Sequence, residues 1–226
     1  MKRIAVLTGA GMSAESGIST FRDSGGLWEQ YDVMTVASIE GWYDNPDLLQ
    51  RFYNDRRAQL ATVEPNEGHK IIAGLEKDFQ VTVITQNVDN LHERAGSTNI
   101  IHLHGELTKA CNESKTQVMD IGTRPIHPGE KAADGSRLRP FIVWFGEAVP
   151  LISQAADIVS KADIIIIVGT SMQVYPAAGL IHYARPGVPV YLIDPAEVDV
   201  PANVEVIREK ASKGMEILKD KLTKEL

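Results

Sequence analysis

Apolar residues in this chain gather into short runs rich in β-branched side chains: Ile4 to Leu7, Val81 to Ile84, Ile100 to Leu103, Ile164 to Val168, Val188 to Ile193 and Val204 to Ile207. Unbroken runs of this length fit strands buried on both faces. Between them the apolar spacing turns helical, at Glu67 to Lys77 and Ile152 to Lys161. From about Glu209, Ala211, Met215, Leu218 and Leu222 form one stripe that should pack on the sheet. The alternation predicts an α/β fold, a parallel sheet covered by helices on both faces.

Two stretches interrupt the alternation. Leu27 to about Asn66 carries three aromatic-rich helical pieces and no good strand. Thr108 to Pro140 is polar and holds Gly122, Pro125, Pro128, Gly129 and Gly135. Both are expected to be insertions that meet in a small second lobe.

Composition narrows the function classes. With 226 residues, 43% of them hydrophobic, the chain can bury one sizeable core. A net charge of −7 argues against nucleic acid as a partner. Cys111 is the only cysteine, so neither an internal disulfide nor a thiolate cluster can form, and a reducing, cytoplasmic setting is expected. The basic start Met1-Lys2-Arg3 leads into an apolar run that stops at Thr8-Gly9, too short for a signal peptide. No run approaches a membrane span, so no membrane partner is expected.

Gly9-Ala10-Gly11-Met12-Ser13-Ala14 follows the first strand and precedes a plausible helix, the setting of a dinucleotide pyrophosphate loop. A tight turn calls for glycine on steric grounds alone, so the motif does not establish a cofactor. The acidic residue that a dehydrogenase places about 20 positions on is missing, which weakens hydride transfer. Thr85 to His92 follows the second strand, where open α/β sheets bind ligands. Capping the next helix needs only one of Asn87, Asp89 and Asn90. His104 follows the third strand and is placed to act as a base, although on this evidence a structural role suits it better, as it does His102, His69, His92, His127 and His182. Gly169-Thr170-Ser171 ends the most hydrophobic strand and suits phosphate or ribose contacts, but taken alone it reads better as an ordinary capped turn.

Together these segments resemble the sirtuin family. The matching residues are Gly9 to Arg22, Thr85 to Gly96, His104 to Leu107, Val143 to Glu147 and Gly169 to Gly179, in the family's order and over nearly the whole chain. The resemblance implies NAD-dependent removal of acyl groups from lysine side chains of proteins, in a single catalytic domain. Its Rossmann-like large lobe would span about 1–27, 67–107 and 141–226, and its small lobe about 28–66 and 108–140. Carried over by position, Gly9, Ala10, Gly11, Ser13 and Glu15 line the NAD phosphates and nearby wall, and Phe21 and Arg22 lie above the nicotinamide ribose. Gln86, Asn87 and Asp89 surround the nicotinamide end, and Gly169, Thr170 and Ser171 the phosphates and adenosine ribose. Val143, Phe145 and Gly146 hold the acyl-lysine, His104 is the base, and Asn87 and Asp89 assist it. The implied products are nicotinamide, free lysine and 2′-O-acyl-ADP-ribose.

The family's usual zinc needs two Cys-x-x-Cys pairs between Thr108 and Pro140. Cys111 stands alone there, so no structural zinc is expected. Where many sirtuins offer asparagine to the adenosine ribose this chain has Asp194, which is expected to take that role. Tyr53 and Arg56 lie three apart on a helical stretch. Spacing alone reads as an amphipathic helix with a solvated arginine. The desuccinylase-type sirtuins, however, carry Tyr-x-x-Arg here and a small residue matching Ala37, which implies a preference for succinyl- or malonyl-lysine over acetyl-lysine. Arg57, one position out of register, reads as a surface charge. The competing functions are a non-catalytic NAD sensor and a protein ADP-ribosyltransferase or NAD hydrolase.

Overall fold

The computed structural model describes residues 1–18, 31–170, 172–198 and 200–224. Its strands are β1 (Arg3–Thr8), β2 (Gln80–Thr85), β3 (Ile100–His102), β4 (Gly105–Cys111), β5 (Val118–Asp120), β6 (Arg139–Ile142), β7 (Ile164–Val168), β8 (Val190–Ile193) and β9 (Val204–Ile207). Six of them form one sheet in the order β3-β2-β1-β7-β8-β9, every pair parallel. The order reverses between β1 and β7. A dinucleotide crevice opens at such a switch point in doubly wound sheets.

Successive side chains of a strand point to opposite faces, and the core divides accordingly. Ile4 and Val6 of β1 and Ile164, Ile166 and Val168 of β7 pack with Ile72 and Leu75, and with Ala211, Met215, Leu218 and Leu222 of the last helix. Ala5, Leu7, Ile165 and Ile167 pack on Ala155, Val159, Leu180 and Ile181 on the other side. The helical stripe anticipated at the chain's end therefore packs against the sheet.

The helices are α1 (Gly11–Ala14), α2 (Val33–Ala37), α3 (Ile39–Asp44), α4 (Pro46–Leu60), α5 (Glu67–Gly74), α6 (Leu91–Ala95), α7 (Ile152–Lys161) and α8 (Ala211–Lys224). Local chemistry starts several of them. Asp32, Ser38 and Asn45 each accept a backbone N–H three residues on, at the heads of α2, α3 and α4, and Pro46 opens α4. The helix expected after the glycine motif is a single turn, and the segment after Val174 forms the short 3-10 helix Ala177–Tyr183.

The stretch Thr108 to Pro140 is more ordered than its polar composition predicts. With Gly105 to Leu107 before it, it builds an antiparallel sheet in the order β5-β4-β6. Its apolar support is small: Ala110, Ile121, Ile126, Ala132 and Leu138. Polar side chains add to it. Asn112, 1% exposed, donates to Ser114, Thr116 and Asp134 and accepts from the Gln117 amide. The Cys111 thiol faces the Pro140 carbonyl at 3.8 Å, and burial pushes it up to about 11, so it is a neutral core thiol.

Arg57 is not a surface charge. It is fully buried and donates to Asn54 Oδ1 at 2.6 Å and to the Leu107 carbonyl at 3.4 Å. Asn54 in turn exchanges two hydrogen bonds with the backbone of Ile126, each 2.9 Å long. The residue one step out of register thus fastens α4 to the second sheet, and burial lowers its guanidinium to about 10.

Candidate active site

At the switch point the loops after β1 and β7 cross with no side chain between them. Gly9 N–H donates to the Val168 carbonyl and Gly11 N–H to the Gly169 carbonyl, at 3.0 and 2.8 Å. Gly169 has φ +63°, and a Cβ there would collide with the backbone of Gly11 and Met12. Glycine is required here for close approach as well as for its conformation.

A cavity of about 910 Å³ opens beside this crossing. Gly9, Ala10, Gly11, Ser13, Glu15, Gln86, Asn87, Asp89, Gly169, Thr170 and Asp194 line it together with His104. Ala37, Tyr53, Arg56, Val143, Phe145 and Gly146 line the same cavity. Phe21, Arg22 and Ser171 lie outside the described residues. Lys210 and Ala211, at the head of α8, also reach it. No local pattern in the sequence marks them, because only the packing of α8 brings them there.

The residues after β2 are held from below. Thr8 donates its hydroxyl hydrogen to Thr85 Oγ1 at 2.8 Å, and the same Thr85 oxygen accepts from the Asn87 amide at 3.0 Å. Asn87 Nδ2 donates to the Gly9 carbonyl at 2.9 Å and to Ser13 Oγ at 3.2 Å, and Ser13 donates to Asp89 Oδ2 at 2.9 Å. Asp89 Oδ1 also accepts the Leu91 amide, so it does cap α6, with its other oxygen bound at the glycine loop. Burial raises the Asp89 carboxyl, and the Leu91 and Ser13 hydrogen bonds oppose that.

The two strand-end histidines are in different states. His102 Nδ1 donates to the Asn87 carbonyl at 3.1 Å and Nε2 lies 2.7 Å from Glu93. Burial lowers its basicity, but the Glu93 carboxylate more than offsets that and holds it above the ordinary range. His104 Nδ1 faces the Gln86 carbonyl at 3.1 Å. A carbonyl only accepts, so Nδ1 carries the hydrogen and Nε2 is left with its lone pair. Burial lowers the His104 basicity, which keeps this neutral form near pH 7. The different neighbours, and not the strand period, thus raise the basicity of His102 and lower that of His104.

In the wall of the same cavity, Tyr53 and Arg56 lie three positions apart on α4, beside Ala37 of α2 and Trp144. Phe145 pairs with Ser38 in an isolated parallel bridge. Glu15 accepts the Ser212 amide at 2.8 Å and so caps α8 while bordering the cavity. His69 and His92 lie outside this wall as a buried pair of rings 4.8 Å apart. Among the described residues, one group of three side chains could hold a metal ion: Glu93, His102 and Glu106. Its charges are already taken up in the His102–Glu93 and Glu106–Lys109 ion pairs.

Residues 9–176 match the Sir2 family. The chain belongs to that family, the sirtuins. Among the relatives of this sirtuin, an NAD-dependent protein deacylase of Bacteroides thetaiotaomicron is 58% identical over 98% of each chain. One of the same description from Helicobacter pylori is 51% identical, again over 98% of each chain. A Sir2 homologue in complex with ADP-ribose superposes with a TM-score of 0.91 at 38% identity, covering 99% of this sirtuin and 93% of that chain. A Sir2 homologue in complex with NAD gives 0.90 at 38% identity, covering 99% and 90%.

Proposed function

We propose that this sirtuin, an NAD-dependent protein deacylase, acts preferentially on lysines carrying acidic acyl groups such as succinyl or malonyl. The observation that carries the preference is the pairing of Tyr53 and Arg56 in the wall of the cavity that also holds His104. A guanidinium and a phenol one turn apart can bind the two oxygens of a carboxylate, and Ala37 beside them leaves room for a longer acyl chain.

The bare backbone crossing of Gly9, Gly11 and Gly169 suits a pyrophosphate, and the cavity is of a size for a large cosubstrate. NAD supplies a ribose carbon that becomes electrophilic as nicotinamide leaves. Asn87 and Asp89, fixed by Ser13 and the Gly9 carbonyl, orient the groups at that end. His104 Nε2 would accept a proton from a ribose hydroxyl, whose oxygen would bond to the acyl carbon as the bond from that carbon to the lysine nitrogen breaks. With the acyl oxygen taking the place of nicotinamide on the ribose carbon and one water consumed, the products would be nicotinamide, free lysine and 2′-O-acyl-ADP-ribose. The substrates are acylated lysines of proteins, with no role for nucleic acid or a membrane. No helix among the described residues is long and apolar enough to cross one.

We read the chain as one catalytic domain whose cavity lies between a large and a small lobe, with the small lobe held by the Asn112 cluster and α4 in place of zinc. The test of acyl preference is kcat/KM of wild type and Arg56→Met on matched succinyl and acetyl peptides. Losing a charge-assisted contact of about 1.5–3 kcal/mol lowers the succinyl value by about one to two powers of ten and the acetyl value much less. Equal losses on both peptides would show that Arg56 supports the fold and not the acyl group.

A further inference from the structure

One hydrogen bond at the acyl end has a direction that bears on selectivity. The indole N–H of Trp144 can only donate, and it donates to the Tyr53 hydroxyl oxygen at 2.9 Å. The Tyr53 oxygen is therefore the acceptor, and its own hydrogen must point elsewhere. Among the described residues no acceptor takes that hydrogen. Tyr53 and Trp144 are only 3% and 2% exposed, yet both border the cavity.

We propose that Trp144 is a positioning residue for acyl selectivity: by occupying the Tyr53 oxygen as a donor, it reserves the Tyr53 hydroxyl hydrogen for a carboxylate at the end of the acyl chain. This rests on the acidic-acyl reading above. Without the indole N–H, the hydroxyl is free to rotate and the carboxylate meets its lone pairs as readily as its hydrogen.

The indole itself is held firmly. The Arg139 guanidinium stacks 3.8 Å from the centre of its ring, and the Trp42 ring lies 5.3 Å away on a tilted plane. Arg139 is fixed by two 3.0 Å bonds to the Glu147 carboxylate, which also accepts the Trp144 amide at 2.9 Å and Lys115 at 2.8 Å. Turning the indole away from Tyr53 would disturb the cation stack. Burial pushes the Tyr53 phenol up to about 12, so it carries its hydrogen throughout the working pH range.

A double-mutant cycle tests the proposal, with Trp144→Phe, Tyr53→Phe and the double variant assayed on matched succinyl and acetyl peptides at saturating NAD. The readout is the succinyl-to-acetyl ratio of kcat/KM, which cancels general damage. Trp144→Phe should lower the ratio about tenfold, chiefly through the KM for the succinyl peptide. The double variant should lower it no further than Tyr53→Phe alone, because the indole acts through that hydroxyl. If Trp144→Phe folds poorly, benzothienylalanine in place of Trp144 removes only the N–H. An unchanged ratio, or the same Trp144 effect in both Tyr53 backgrounds, overturns the proposal. A wild type with no acidic preference and no response to Arg56→Met overturns the acyl reading and this proposal together. A preference that survives alongside an uncoupled cycle overturns the proposal alone.

Discussion

Replacing Asn112 by alanine tests what holds the second sheet in a chain with one cysteine. The Asn112 amide has two N–H hydrogens, shared among Ser114, Thr116 and the Asp134 carboxylate at 2.9, 3.0 and 2.7 Å, and its carbonyl accepts the Gln117 amide at 3.0 Å. Each of the three hydrogen-bonding positions of the buried amide contributes about 1 kcal/mol, because its one charged partner, Asp134, is exposed and screened by solvent. Asp134 and Ser114 are exposed and can turn to water, so the expected net loss for Asn112→Ala is about 3 kcal/mol. In a chain of this size that corresponds to a fall in Tm of about 6–12 °C. The measurement is thermal unfolding of wild type and variant by circular dichroism or calorimetry, each with and without a strong chelator, alongside elemental analysis. The expected outcome is a lower Tm in the variant, no effect of chelator on either protein and no stoichiometric zinc. A tightly held zinc whose removal unfolds wild type, or a variant within about 2 °C of it, would refute the reasoning.

His104→Ala should abolish deacylation in a steady-state assay while calorimetric NAD affinity and the circular dichroism spectrum stay close to wild type; near-normal turnover would remove the histidine from the base role. Because burial lowers the His104 basicity, the acid limb of kcat/KM for wild type should fall below the ordinary histidine value near 6.5, and a limb above it would contradict the buried environment. Stability itself should fall in acid. Burial lowers His69 from 6.5 to about 4, so between those values the unfolded chain binds a proton that the folded chain refuses. Stability is then complete above pH 6.5 and declines as the pH drops towards 4, by up to about 3 kcal/mol from this residue. Urea midpoints at pH 7.5 and 5 check this, with His69→Phe expected to flatten the difference.

The large sheet and the strand ends that line the cavity were legible in the sequence because their signals are local. A buried strand shows as an unbroken β-branched run, and a strand end that can meet a ligand as the glycine loop Gly9 to Ala14 or as Gly169-Thr170-Ser171. The resemblance of five short segments to one family was enough to name 18 described residues that line one cavity. Long-range partners decided the rest. The strands β4 and β6 pair across about 30 residues of polar sequence, and a single stretch carries no record of such a partner. Arg57 reads as a surface charge next to Arg56, but a rotation of one residue along α4 points it at Asn54 and the Leu107 carbonyl, where it is buried. His102 and His104 look alike in sequence, yet the Glu93 carboxylate raises the basicity of one while burial lowers that of the other. The sequence by itself determined the strands of the large sheet, the helices that cover it and which strand ends border the cavity. Burial, charge state and the direction of each hydrogen bond were decided only by tertiary structure, because each depends on groups that meet from distant parts of the chain.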